Sequence, residues 1–62
     1  MTKLKKLRKE NNFKQIEVAK ATGISQQAYS YFERGTLIPS LDTAKKIANF
    51  YNMTIEDIFF NN

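Results

Sequence analysis

The 62-residue sequence contains no cysteine and no histidine. Without cysteine, neither a disulfide nor a thiolate metal site can hold so short a chain together. The absence of histidine removes the commonest general base and the commonest metal ligand. We therefore expect no catalytic residue, no metal site and no cofactor. A chain of this length buries only about 60% of its unfolded surface, and we expect residues 1–62 to form one domain.

Long apolar runs are also missing. No stretch approaches the roughly 20 residues that span a membrane, and the charged N-terminus lacks the apolar segment of a signal peptide. A helix with Leu4 and Leu7 among lysines could lie on a membrane surface, but two leucines are too few for stable docking. We expect a soluble cytoplasmic protein with no membrane contact.

The positive charge is unevenly distributed. Residues 1–34 carry eight lysines and arginines against three glutamates, whereas residues 35–62 carry two lysines against three acidic residues. A basic half of this kind favours a polyanionic partner on one side of the molecule. On charge alone, a basic protein without such a partner fits the sequence equally well.

Turn residues divide the chain into five short helical stretches, and no strand pattern is present. Ser25, Ser40 and Thr54 stand at N-cap positions. The predicted helices cover residues 2–10, 14 or 15 to 22, 26–34, 41–51, and a last segment that begins at the TIED motif of 54–57. The predicted inward stripe of the fourth helix is Leu41, Ala44, Ile47, Ala48 and Tyr51. These patterns predict an all-α fold.

The second and third stretches form a helix-turn-helix pattern. Ala19 supplies the small residue where two closely packed helices cross. Gly23 supplies a turn residue that tolerates positive φ. The apolar side chains predicted to point inward and hold the second helix of the unit are Ile24, Tyr29 and Phe32.

The opposite face of the third helix carries little charge. It consists of Gln27, Ser30, Tyr31 and Arg34, with Gln26 on the first turn. Solvated faces usually contain lysine and glutamate, whereas glutamine can hydrogen-bond N6 and N7 of adenine in the major groove. An ordinary polar face is the alternative, but within a helix-turn-helix pattern we favour base recognition.

The segment QIEVAKATGISQQAYSYFERGTLIPSLDTAKKIANFYNMTIEDIF resembles the Cro and CI repressor-type helix-turn-helix domain, also called the xenobiotic-response-element family. The features that match are Gln15, Ala19, GIS at 23–25, ERG at 33–35, PSL at 39–41, Ile47-Ala48 and the final TIEDIF. The resemblance covers residues 3–59. It implies a compact lambda-repressor-like fold of five helices, with the helix-turn-helix unit at 15–34. It also implies a bacterial or phage-encoded transcriptional repressor that acts at the nucleoid and binds a palindromic operator as a homodimer.

The resemblance also assigns roles to individual residues. It implies base contacts by Gln26, Gln27, Ala28 and Tyr31, with Ala28 near a thymine methyl group. It implies phosphate contacts by Gln15, Ser30, Arg34 and the backbone of Thr36. A salt bridge between Arg8 and Glu33 would orient the recognition helix and keep Arg8 away from DNA.

The sequence departs from the family pattern at Lys14, Thr22, Tyr29 and Tyr31, and two of these departures concern the predicted DNA contacts. Lys14 stands where relatives often have a threonine or serine N-cap. Either that cap is lost, or Asn12 caps the second helix one turn earlier; Lys14 could also contribute a phosphate contact of its own. Tyr31 stands where relatives often have arginine or glutamine, which leaves the base that it contacts open.

Four apolar residues lie off the predicted inward stripes: Leu37, Ile38, Phe50 and Phe60. Because relatives often pair through their C-terminal helices, Phe50 and Phe60 are the candidates for a homodimer contact. With no second domain to hold the pair, we expect a dimer that is weak in solution and tighter on DNA.

Two other functional classes are alternatives to a DNA-binding regulator. An antitoxin-like protein or another protein-interaction module could use the same fold, although the basic half argues against it. An enzyme lacks a site, because Asp42, Glu56 and Asp57 stand at helix starts, where carboxylates serve as capping charges. The sequence also shows no small-molecule ligand site.

Overall fold

The computed structural model describes residues 2–60. Its elements are α1 (Leu4–Glu10), α2 (Gln15–Thr22), α3 (Gln26–Arg34), α4 (Leu41–Phe50) and a C-terminal π-helical segment (Glu56–Phe60). No strand occurs between residues 2 and 60, and the predicted all-α fold of five helical segments is confirmed. Within the same range, every helix is too short to cross a membrane.

The three predicted N-caps form. The hydroxyl oxygens of Ser25, Ser40 and Thr54 each accept a hydrogen bond from the backbone N–H three residues later, at 3.1, 3.3 and 3.0 Å. The segment that follows Thr54 winds as a π-helix, with a wider turn than the α-helix that its cap suggests. A cap satisfies donors of the first turn only, so it carries no information about the winding that follows.

The start of α2 resolves the two alternatives for its N-cap. Lys14 occupies the N-cap position with an extended backbone, and its N–H donates to the Glu17 carboxylate at 2.7 Å. Asn12 instead ends α1, with a positive φ of 59°. The side-chain cap is therefore lost, and Glu17 supplies half of a capping box, since a lysine side chain has no acceptor.

Each of the four α-helices ends in the same type of turn. Asn12, Gly23, Gly35 and Asn52 have φ values of 59, 72, 76 and 58°. In each case the N–H of the next residue donates to the carbonyl five residues earlier, at 2.9–3.1 Å. This is the Schellman motif, which satisfies carbonyl groups left open at a helix end. It requires a left-handed residue, which explains the placement of both glycines.

The core takes one side chain with 0% exposure from every helical segment: Leu4, Val18, Tyr29, Ile47 and Ile58. The most extensive packing between elements joins α2 to α3, with further packing of α2 on α4 and of α1 on α3. The backbone N–H of Lys3 donates to the carbonyl of Ile58 at 3.1 Å, which joins the two ends of the described chain. The helix-turn-helix unit is therefore supported from both ends of the sequence.

Two predictions about α4 are wrong in part. Leu41 was predicted to face the core, but it is 64% exposed. It is the first residue of the helix, and its side chain tilts toward the helix N-terminus, beyond the packed layer. Phe50 was predicted to lie off the inward surface, but it is half-buried against the core, with ring centroids 5.3 Å from Phe13 and 5.0 Å from Tyr51.

Candidate nucleic-acid interface

The turn between α2 and α3 is short and closed by hydrogen bonds. Gly23 adopts the left-handed conformation, and the N–H of Ile24 donates to the carbonyl of Ala19 at 2.9 Å. Ser25 then caps α3, so a single residue, Ile24, separates the C-cap of α2 from the N-cap of α3. Ala19 is 1% exposed, as expected for the small residue between two tightly packed helices.

The inward face of α3 is firmly anchored. Tyr29 is fully buried, Phe32 is buried, and Ile24 packs against the core from the turn. The phenol oxygens of Tyr29 and Tyr51 lie 2.9 Å apart, so the buried hydroxyl has a partner on α4's C-cap. Burial, together with this hydrogen bond, raises the pKa of Tyr29, which therefore stays neutral.

The outward face of α3 exposes two of the four predicted base-reading residues fully. Gln26 and Gln27 are exposed on the first turn, whereas Tyr31 is half-buried. Ala28, predicted to lie near a thymine methyl group, is half-buried and packs partly against the core. The two glutamines therefore present exposed hydrogen-bonding side chains on the first turn of α3.

Tyr31 connects its neighbours on this face. The Gln27 Nε2 donates to the Tyr31 hydroxyl at 3.1 Å. The Arg34 guanidinium carbon lies 4.8 Å from the centroid of the Tyr31 ring, which is a cation–π contact. Neither contact was predicted from the sequence, although the i, i+4 and i, i+3 spacings permit both.

The predicted pair of Arg8 and Glu33 is present. The Arg8 Nε donates to Glu33 Oε2 at 2.6 Å, and Nη2 donates to Oε1 at 3.3 Å. Arg8 Nη1 also donates to the carbonyl of Phe13 at 3.1 Å. Burial alone would raise the pKa of Glu33, but the hydrogen bonds from Arg8 and Gln15 outweigh it and hold that pKa below its ordinary value. The hydrogen bond to Glu33 raises the pKa of Arg8.

Gln15 takes part in the same network. Its Nε2 donates to Glu33 Oε1 at 3.0 Å. The contact places Gln15, at the start of α2, beside the last turn of α3. One amide N–H of Gln15 remains for a phosphate. Lys14 and Arg34 are exposed, and Ser30 is half-buried.

The Thr36 backbone, predicted to contact a phosphate, makes a hydrogen bond within the chain. Its N–H donates to the carbonyl of Tyr31 at 3.1 Å, and its hydroxyl donates to the same oxygen at 3.2 Å. Both donors are therefore used to close the end of α3. The left-handed turn at Gly35 produces this arrangement, and a phosphate contact through the Thr36 N–H would break it.

Comparison with known proteins agrees with this geometry. The family model described as helix-turn-helix matches residues 4–58. An uncharacterized HTH-type transcriptional regulator of Methanocaldococcus jannaschii is 46% identical over 57 residues, which cover 92% of this chain and 86% of that protein. A similar uncharacterized regulator of Archaeoglobus fulgidus is 41% identical over 58 residues, which cover 94% of this chain and 82% of that protein.

A third relative is the cryptic phage CTXphi transcriptional repressor RstR of Vibrio cholerae. It is 37% identical over 57 residues, which cover 92% of this chain but 51% of the repressor. The residues that the family model matches, 4–58, include the buried core residues and the turn described above. The chain belongs to the Cro/CI-type helix-turn-helix family of transcriptional regulators.

Proposed function

We propose that this protein is a transcriptional repressor that binds a palindromic operator as a homodimer, with α3 in the major groove. The observation that carries the proposal is the exposure of Gln26 and Gln27 on the first turn of a helix whose other face is anchored by Tyr29 and Phe32. In helix-turn-helix proteins the first residues of the recognition helix reach the base edges. RstR, which is a repressor, supports the direction of regulation.

Phosphate contacts flank this reading surface in the proposal. Lys14 and Gln15 lie at the start of α2, and Arg34 lies at the end of α3, which Gln15 contacts through Glu33. Ser30 adds a hydroxyl on the same helix. Contacts of this kind fix the position of the protein on the duplex without specifying sequence. Arg8 is held by Glu33 and does not take part.

Selection from a pool of duplexes with a randomised central segment tests the proposal. We expect an enriched palindrome whose half-sites are about one helical turn apart. Binding to random duplexes should weaken with salt, with a slope of about −0.9 per neutralised phosphate in a plot of log affinity against log salt concentration. No enrichment and no salt dependence would contradict DNA binding and would favour the antitoxin-like or protein-interaction alternative.

The proposed dimer contact lies on an apolar surface beside the end of α3. Leu37, Ile38, Leu41 and Phe60 are 50, 85, 64 and 71% exposed. They line a groove of about 380 Å³, together with residues that include Gly35, directly after α3. Phe60, a predicted dimer candidate, lines this groove, whereas Phe50 is half-buried by contacts within the chain.

The absence of charge on this groove suits a second copy of the chain. A two-fold interface brings together the same surface patch of both subunits. A charged side chain near the axis would therefore lie close to the identical charge of the other subunit and repel it. The groove residues that the structure describes include none with a formal charge. An interface at this place would also put the two copies of α3 close to the dimer axis.

Sedimentation without DNA tests this contact. Ile38→Glu, at an exposed position, should shift the protein toward monomer because it introduces like charges across the two-fold axis. Ile16→Glu is the matched control, since Ile16 is 39% exposed and lies outside the groove. Equal sedimentation of the two variants would contradict this interface, and association only with an added protein would favour the protein-interaction alternative.

A further inference from the structure

Tyr31 contacts two side chains that the proposed function assigns to DNA. Gln27 lies four residues before it and donates to its hydroxyl at 3.1 Å. Arg34 lies three residues after it and stands over its ring at 4.8 Å. These two spacings place all three side chains on one face of α3. One tyrosine therefore connects the candidate base contact near the start of the helix to the candidate phosphate contact at its end.

The backbone of Tyr31 is itself well fixed. Its carbonyl accepts hydrogen bonds from the Thr36 N–H at 3.1 Å and from the Thr36 hydroxyl at 3.2 Å. The side chain is half-buried between its two neighbours. A tyrosine side chain has only two rotatable bonds that move its ring, so it has little conformational freedom when its backbone is held in this way. Exposed glutamine and arginine side chains lose much more freedom when they are ordered.

The hydrogen bond also determines what Gln27 presents to solvent. A glutamine amide has two N–H donors and one carbonyl acceptor. One donor goes to the Tyr31 hydroxyl, which leaves one N–H and the carbonyl oxygen. This pair complements the major-groove edge of adenine, which offers N7 as an acceptor and N6 as a donor. A rotated amide would place its carbonyl oxygen toward the phenol and would no longer present this pair.

We propose that Tyr31 is a positioning residue that orients the Gln27 amide for adenine and holds Arg34 in place for a phosphate. The inference rests on the proposed DNA-binding function of α3. Tyr31 acts on sequence preference through its hydroxyl and on general affinity through its ring. The two effects are separable, because phenylalanine keeps the ring without the hydroxyl, whereas leucine lacks both the ring and the hydroxyl.

The experiment uses duplexes selected from a randomised pool by the wild-type protein, together with their single-base variants. Gln27→Ala identifies the base pair whose discrimination depends on Gln27. Tyr31→Phe should lower the preference for adenine at that same base pair by about two- to tenfold, as expected for one hydrogen bond. Tyr31→Leu should show this loss and should also weaken binding to random duplexes by about two- to fivefold, from the lost cation–π contact.

Double variants show whether Tyr31 acts through Gln27. Tyr31→Phe should have no further effect at that base pair when Gln27 is already alanine. In a Gln26→Ala background it should keep its full effect, because Gln27, and not the exposed Gln26 on the same turn, donates to the Tyr31 hydroxyl. In the free protein, Tyr31→Phe should shift the side-chain amide NMR signals of Gln27 and leave those of Gln26 in place.

The outcomes separate this inference from the function on which it rests. A wild-type protein that enriches no sequence contradicts the proposed recognition of an operator, and the inference falls with it. Enrichment by the wild type, with unchanged adenine preference in Tyr31→Phe, overturns the inference alone. A Tyr31→Phe effect that persists in the Gln27→Ala background also overturns it, because the phenol would then contact the base directly.

Discussion

Arg8 and Glu33 join α1 to α3 through two hydrogen bonds, at 2.6 and 3.3 Å, to opposite oxygens of one carboxylate. The Glu33 side chain is 3% exposed and that of Arg8 is 14% exposed. The pair is therefore largely removed from water, unlike an ordinary surface ion pair. Since Glu33 also accepts from Gln15, the same carboxylate holds α1, the start of α2 and the end of α3 together.

Arg8→Ala should reduce the free energy of unfolding by about 2–3 kcal/mol. The substitution leaves the buried Glu33 carboxylate with Gln15 as its remaining side-chain donor, and an uncompensated buried charge is costly. Urea unfolding followed by circular dichroism measures the change. Lys9→Ala, at an exposed position on the next residue of α1, is the control and should change stability by less than about 0.5 kcal/mol. Equal stability of the two variants would show that the pair contributes little.

Stability should decrease in acid because of Glu33. Its pKa in the folded protein lies below the ordinary value of 4.5, so folding favours the ionised form. The contribution is complete above the pKa of the unfolded chain and is lost as pH falls from about that value through the folded pKa. Urea unfolding between pH 3 and pH 7 should show a smaller decrease for Glu33→Gln than for the wild type, within the range below roughly pH 4.5.

The control for the acid experiment is Glu10→Gln. This variant makes the same chemical change at an exposed carboxylate of α1. It should retain the pH dependence of the wild type. A Glu33→Gln profile parallel to that of Glu10→Gln would contradict a lowered pKa at Glu33.

The Schellman turns predict that glycine stabilises the protein at the left-handed residue of a turn and destabilises it inside the preceding helix. Asn52 has a φ of 58°, where glycine is less strained, so Asn52→Gly should stabilise the protein by about 0.5 kcal/mol. Asn49→Gly, inside α4, should destabilise it by a similar amount because glycine is a poor helix former. Thermal unfolding of both variants checks the difference in sign. A lower melting temperature for Asn52→Gly would show that the asparagine side chain has another role.

Gly23→Ala is the reverse test of the same geometry. A Cβ at this position would meet no atom within 4 Å, so the expected loss of about 1 kcal/mol comes from the φ of 72° alone. The free energy of unfolding measures it. A neutral result would mean that the turn relaxes at no cost.

The helix boundaries were predictable from the sequence because their signals are local. Ser25, Ser40 and Thr54 cap the segments that follow them, and Gly23 and Gly35 end α2 and α3. The exposure of Leu41 and the burial of Phe50 were not predictable in this way. Both depend on where a helix end lies relative to the other elements, which periodicity along one helix cannot specify.

The candidate interface was predictable from the sequence only in part. The inward and outward faces of α3 followed from helical spacing, and the pairing of Arg8 with Glu33 followed from family resemblance. The contact between Gln27 and Tyr31 is permitted by spacing but is one of several rotamer choices. The phosphate contact at the Thr36 backbone stays a prediction, and the use of its N–H in the turn at Gly35 is a feature that the resemblance did not indicate.

Gln27→Ala should separate base recognition from general DNA affinity. We expect a loss of about 1–3 kcal/mol on a duplex enriched from a randomised pool, and a much smaller loss on random duplexes. The physical reason is that a bidentate contact to a base edge exists only on the matching sequence. Fluorescence anisotropy with both duplexes measures the two losses. Equal losses would mean that Gln27 contacts only the backbone.

Lys14→Ala should show the opposite pattern. Lys14 is exposed at the N-cap position of α2. Its side chain makes no capping hydrogen bond of the kind that a serine or threonine would make there. As a phosphate contact it should weaken binding to the enriched and random duplexes by the same factor. It should also reduce the magnitude of the salt slope by about 0.9, since one neutralised phosphate is lost. Lys45→Ala, an exposed lysine on α4, should leave both duplexes and the slope unchanged. A sequence-dependent loss for Lys14→Ala would instead place this lysine at a base edge.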